Sequence, residues 1–260
     1  MNDMIQAVVL GIIEGLTEFL PVSSTGHLLI AEHWLGQRSE LFNVAIQAGA
    51  ILAALVVFWP RISQLLLGMN SRANRDYLAK LVFAFLISGA GGYAAKQLGV
   101  TLPETVAPVA GALLIGGLLI LLIEWRVSGR PVVTELGWSV AFWVGAAQIL
   151  AAVFPGTSRS AATIFAAMLA GLSSRAAATE FAFLVGIPTM FAATGYEFMK
   201  LRGHDFAGED WSALALAFAV AAVVAFAAVK WLLRYIQTHR FTVFAWYRIA
   251  AGLFLLIVAR

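Results

Sequence analysis

Apolar residues run along this chain in long blocks separated by short polar punctuation, without the period-two alternation of a half-buried strand. Six blocks, approximately residues 42–59, 78–95, 106–123, 181–199, 212–235 and 241–259, are almost continuously apolar. At about 1.5 Å per residue, each predicts a helix able to cross a hydrocarbon layer of roughly 30 Å, the shortest only just. Two further blocks are interrupted. Residues 5–20 lead into a break from Pro21 to His27 and a short apolar piece, 28–35; residues 138–154 lead into a break from Pro155 to Ser160 and then 161–172. The second arm of each is too short to span comfortably, so both regions read as re-entrant helix–loop–helix hairpins.

The interrupted regions match each other. A shift of 134 positions aligns Gly11 with Gly145, Glu14 with Gln148, Pro21 with Pro155 and Ser24 with Ser158. Each half then has one order of elements, a hairpin followed by three spans. A hairpin returns to its starting side and three spans cross, so the second half begins on the opposite face. The expectation is an all-α polytopic membrane protein, a single integral membrane domain over 1–260. It comprises six transmembrane helices and two re-entrant hairpins in an inverted repeat, with repeat 1 at about 1–126 and repeat 2 at about 135–260. Such repeats build one site from two broken helices near the midplane.

Composition agrees with this class: 61% of residues are hydrophobic and 12% charged, with a mean hydropathy of +0.87, far from a soluble balance. The first apolar block lacks a basic flank and contains two glutamates, so no cleavable signal peptide is expected. The absence of cysteine excludes disulfide and thiolate chemistry. The net charge of +3 is small, and its placement matters more. The face away from the N-terminus collects Arg61, Arg72, Arg75, Lys80, Arg126, Arg130, Arg175, Lys230, Arg234, Arg240 and Arg248. The N-terminal face has Arg38, Lys96, Lys200, Arg202 and Arg260. Eleven against five predicts a cytoplasmic first face, with both termini on the outer side.

The breaks carry the chemistry. Glu14 and Glu18 are i and i+4 and share a helix face. In a dry site two close carboxylates require either a proton or a bridging cation. Mg or Ca is therefore a candidate cofactor, with Glu14 and Glu18 as its ligands. Ser23, Ser24 and Thr25 exceed what a helix cap requires. With Gly26 they open onto a helix N-terminus, where backbone N–H groups and the dipole favour an anion. His27 beside them reads as a catalytic group rather than a structural histidine. In the second break Thr157, Ser158 and Ser160 surround Arg159, and Thr163 lies one turn on. A guanidinium suits phosphate oxygens because its fork donates two parallel charge-assisted bonds. An Arg159 paired with Glu14 or Glu18 at rest is compatible with that role. Hydroxyls, arginine, helix N-termini, histidine and carboxylates together describe a phosphate-handling site at membrane depth.

The stretches EGLTEFLPVSSTGHL and FPGTSRSAATI, with FNVAIQAGAILA and EFAFLVGIP after the respective breaks, resemble the undecaprenyl-diphosphate phosphatase family, also called bacitracin-resistance proteins. The likeness covers essentially the whole chain. It implies an enzyme of the bacterial inner membrane that removes the terminal phosphate of undecaprenyl diphosphate, recycling the lipid carrier for cell-wall polymers. It also implies functional roles for Glu14, Glu18, Ser24, His27, Ser158, Arg159 and Thr163. Ala161 departs from the glycine many relatives have, without removing a chemical group. Phosphatidic-acid-type lipid phosphatases also pair Gly-His with Ser-Arg, but need a histidine and an aspartate after the arginine. SAATIFAAMLAGL offers neither.

Three nucleophiles stay open at this stage: Ser24 Oγ with His27 or Glu18 as base, water activated by either, or His27 itself. Ser24 is placed first. The rival reading is a secondary transporter or lipid flippase, for which inverted repeats and intramembrane carboxylates are the usual architecture. The expected partners are the lipid diphosphate and the membrane, with no nucleic acid; a homodimer is compatible with the sequence.

Overall fold

Helices form wherever the apolar blocks predict them. The computed structural model describes residues 3–100, 105–129, 131–201 and 208–258. In chain order its helices are α1 (Asp3–Thr17), α2 (Ser24–Leu35), α3 (Glu40–Leu67), α4 (Arg72–Gln97), α5 (Val106–Val127), α6 (Trp138–Val153), α7 (Arg159–Leu169), α8 (Arg175–Lys200), α9 (Trp211–Tyr235) and α10 (Thr242–Val258). Five of them, α3, α4, α5, α8 and α9, are long and apolar enough to cross a membrane. Helix α10 has 17 residues and the four arms beside the breaks have 15, 12, 16 and 11. The chain is an all-helical, multi-pass membrane protein. Large apolar side chains such as Leu118, Leu122, Val223, Trp246 and Ile257 are exposed on the outer surface, where lipid rather than water is the compatible solvent.

Several helices overrun their apolar blocks. Helix α3 starts at Glu40, capped by the Ser39 hydroxyl that accepts from the Phe42 N–H at 3.0 Å, and continues through Pro60 to Leu67. Proline forfeits one backbone bond, yet the helix continues through it. Helix α8 begins at Arg175 under a Ser174 cap. Charges end the apolar run before they end the helix, and several of them find partners, Arg61 with Glu180 and Lys200 with Glu197 among them. The Glu124 carboxylate, 1% exposed, accepts from the Arg175 guanidinium and from the Phe241 N–H at 3.0 Å. That one side chain ties α5, α8 and the start of α10 together.

The packing of the two halves is reciprocal. Helix α1 lies on α9 and α6 lies on α4; α5 pairs with α10 and α3 with α8. Exchanging the n-th helix of the first five with the n-th of the last five turns the first two pairings into each other and returns each of the last two to itself. Gly11 and Gly145 occupy equivalent places: a Cβ at Gly11 would meet the Ala217 carbonyl of α9 at 2.6 Å, and one at Gly145 the Ala84 carbonyl of α4 at 2.7 Å. Both first arms thus approach the opposite half closely enough to exclude a methyl group.

Two charges are placed differently from the sequence reading. Lys80, assigned to a loop face, is 7% exposed within α4, donating to Asp76 and to the Leu136 carbonyl at 2.6 Å. Arg248, also assigned there, is fully buried in α10. The other counted charges Arg130, Arg202 and Arg260 lie outside the described residues, as do residues 203–207 of the loop before α9.

Candidate active site

Both breaks end in the same unusual element. Ser23 and Ser158 are the non-glycine residues with left-handed backbone among the described residues, at φ 76° and 67°. Each caps the helix that follows: Ser23 Oγ accepts from the Gly26 N–H at 3.4 Å and Ser158 Oγ from the Ala161 N–H at 3.3 Å. A strained φ in serine persists only where the surroundings over-determine it, and such residues gather at functional sites. The twin caps also correct the alignment of the breaks. Ser158 is the counterpart of Ser23, not of Ser24, because the second break holds one residue more between its proline and its cap. Ser24 therefore opens α2 at the position that Arg159 holds in α7.

The first turns of α2 and α7 leave backbone N–H groups without intrahelical acceptors, directed into the breaks. Around them the predicted residues divide into groups. Ser24 Oγ donates to Glu18 Oε2 at 2.5 Å. Glu14, one turn back and 2% exposed, lies within electrostatic reach of both Glu18 and Arg159, and its Oε2 is buried with no hydrogen-bond partner. Arg159 forms no ion pair with either glutamate among the described residues, and its Nη1 is likewise buried and unpartnered. A buried guanidinium nitrogen without an acceptor is costly, and an oxyanion is one group whose chemistry would satisfy it.

Arg159 also lines a cavity of about 490 Å³ between α4, α6 and α8, with Ser88, Gln148 and Thr189 on its wall and Lys96 and Glu197 toward the helix ends. Gln148, the counterpart of Glu14, donates to Ser88 Oγ at 3.1 Å and Thr189 Oγ1 at 3.3 Å. The second half thus holds a neutral amide network where the first holds carboxylates.

Not every predicted residue converges on this point. His27 is held away: its Nδ1 meets the Ser23 carbonyl at 2.7 Å and its Nε2 the Tyr247 hydroxyl at 2.6 Å, so neither nitrogen bonds Ser24 or Glu18. It sits at the edge of an apolar groove of about 580 Å³ lined by Ile13, Ile30, Trp34, Tyr247 and Phe254. Ser158 and Ser160 hydroxyls bond each other at 3.0 Å, and Ser160 also donates to the Leu20 carbonyl of the other break at 3.0 Å. Thr163 returns its hydroxyl to the Arg159 carbonyl at 2.8 Å. Thr25 and Thr157 border the breaks, half-buried, and Gly26 packs against Leu113 and Val109 of α5. Sequence reading missed two residues of the site, Tyr247 and Arg248. The available signal was a lone Tyr-Arg pair inside the apolar 241–259 block.

A family model, bacitracin resistance protein BacA, matches residues 7–254. The chain belongs to the BacA family. Undecaprenyl-diphosphatase of Rhizobium johnstonii is 60% identical over 99% of this chain and 97% of its own length. The undecaprenyl-diphosphatases of Stenotrophomonas maltophilia and Xanthomonas euvesicatoria are 56% and 54% identical, each over 99% of this chain and 98% and 97% of theirs. Both breaks of this BacA-family chain fall inside the matched span, together with Tyr247 and Arg248.

Proposed function

We infer that this chain is an undecaprenyl-diphosphate phosphatase, hydrolysing the terminal phosphoric anhydride to undecaprenyl phosphate and inorganic phosphate. Full-length relatives of that activity support the substrate. The observation that carries the chemistry is the pairing of a Ser24–Glu18 hydrogen bond with an unpartnered Arg159 nitrogen at the mouths of two helices.

In the mechanism we favour, Arg159 and the N–H groups of the first turns of α2 and α7 hold the terminal phosphate. They neutralise the charge that spreads over its oxygens, the main demand of phosphoryl transfer. Ser24 Oγ attacks phosphorus in line as Glu18 takes its proton and passes it to the departing undecaprenyl phosphate, which leaves Glu18 ionised again. Water, deprotonated by Glu18, then cleaves the phosphoserine and releases inorganic phosphate. Glu18 is preferred to His27 as base because the Ser24 hydroxyl already donates its hydrogen bond to the Glu18 carboxylate. The apolar groove beside His27 and Tyr247 suits the first isoprene units of the tail.

Glu14 and Glu18 fit a hard divalent cation, Mg or Ca: the unpartnered Glu14 Oε2 is a free hard-oxygen donor beside a second carboxylate, and no larger cluster of ligating side chains gathers among the described residues. Such an ion, held by Glu14 and Glu18, would supply Lewis-acid neutralisation of phosphate charge. The test of the whole reading is phosphate release from undecaprenyl diphosphate by purified protein in detergent, with and without chelator. Release that chelator stops and Mg or Ca restores assigns the cation to the glutamate pair. Release unaffected by chelator removes it, and no release in either condition refutes the enzyme.

The reciprocal packing and twin caps support the inverted repeat, with α1–α2 and α6–α7 as re-entrant hairpins and α10 as a sixth span of roughly 26 Å. With Lys80 and Arg248 removed from the surface, the charge asymmetry is nine against five (11 − 2) and still supports both termini facing outward. In the cysteine-free chain, Gly208→Cys is expected to react with an impermeant thiol reagent outside intact cells and Ser71→Cys is not. The reverse pattern would invert the orientation, and labelling of both would contradict the odd number of crossings between them.

A further inference from the structure

Arg248 is the largest fully buried side chain of the described residues, and no carboxylate pairs with it. Its guanidinium is held by main-chain carbonyls alone. Nη1 donates to Pro21 O at 3.4 Å, Nη2 to Gly156 O at 3.1 Å and to Ala112 O at 2.9 Å, and Nε approaches Leu113 O at 3.5 Å. Pro21 belongs to the first break, Gly156 to the second, and Ala112 and Leu113 to α5. A buried cation without a counter-charge is expensive unless several oxygens surround it, and the fold provides for it. Gly116 leaves the space: a Cβ there would lie 2.2 Å from Arg248 Nη2. Gly156, at φ 86°, lets its loop press onto α5, where a Cβ would meet Val109 O at 2.8 Å.

We propose that Arg248 is a positioning residue that clamps the two breaks in register, so that Ser24 and Glu18 of one and Arg159 of the other face a single phosphate. The proposal rests on the two-break phosphate site. A rigid fork with several donors serves four carbonyls at once; lysine keeps the charge and loses that geometry. A displacement of about 1 Å at a reacting centre costs on the order of 10²-fold in rate, so Arg248→Lys is expected to lower kcat by that factor with KM changed much less. Gly116→Ala, which retains every charged and reacting group but displaces the Arg248 guanidinium, is expected to lower kcat in the same sense.

The clamp is read directly by electron-spin distance measurements between labels on cysteines introduced at Leu20 and Thr157, in an otherwise unaltered full-length chain. The expected result is one narrow distribution for the Arg248 form and a broadened or shifted one for Arg248→Lys, and for Gly116→Ala should the lysine variant fail to fold. An unchanged distribution in a folded variant would overturn the clamp whatever its activity, and so would kcat within about two-fold of the parent. Turnover by the unlabelled parent tests the phosphate site separately, so failure of one reading is distinguishable from failure of the other.

Discussion

Arg159→Ala is expected to lower kcat/KM for undecaprenyl diphosphate by about 10³-fold or more, within the range that single arginines contribute to phosphoryl transfer. The side chain holds a buried, unpartnered nitrogen within electrostatic reach of the Glu14 carboxylate, with which it does not pair. Its removal therefore relieves a buried donor rather than breaking an ion pair, and the melting temperature in detergent is expected to stay the same or rise. Arg159→Lys keeps charge without the two parallel donors and is expected to lose most of the rate as well. Steady-state kinetics beside a thermal melt checks both. Activity within a few-fold of the parent would make Arg159 structural.

The second large effect concerns the attacking group. Ser24→Ala is expected to lower kcat on the order of 10³-fold or more, as loss of a covalent nucleophile does, and to abolish an acid-stable label trapped by rapid quench with terminally labelled substrate. Glu18→Gln removes the proton acceptor at the other end of the 2.5 Å bond and is expected to slow labelling without moving it. His27→Ala is expected to lower the rate modestly, since both ring nitrogens are engaged by Ser23 and Tyr247. An acid-labile, base-stable label would instead indicate phosphohistidine. No label, with oxygen from solvent entering the released phosphate in one turnover, would point to water as the nucleophile.

These assignments separate what the sequence carries from what only the fold supplies. The spans were legible because an uninterrupted apolar run of membrane length has few alternatives. The breaks were legible because proline, glycine and hydroxyls are costly within such runs. Residues close in sequence were read only in part: Glu14 and Glu18 do lie within electrostatic reach of each other, whereas Ser24, read as part of the break, already begins α2. Contacts across the repeat were not legible. His27 and Tyr247 are 220 positions apart, and nothing local announces that imidazole and phenol meet. Arg248 was read as a face charge because its partners are carbonyl oxygens, which every residue possesses and no sequence pattern marks. The one-residue offset between the breaks escaped for a similar reason. Hydroxyls occur at neighbouring positions in both, and only the left-handed backbone of Ser23 and Ser158 identifies which correspond.

The central claim is that two breaks, 134 residues apart from proline to proline (155 − 21), build one phosphate site. A double-mutant cycle in kcat/KM between Ser24→Ala and Arg159→Lys tests it most directly. Groups acting on the same phosphorus work as a unit, so the double variant is expected to be about as slow as the slower single one. Two effects that multiply in full would place the residues in independent sites and contradict the account.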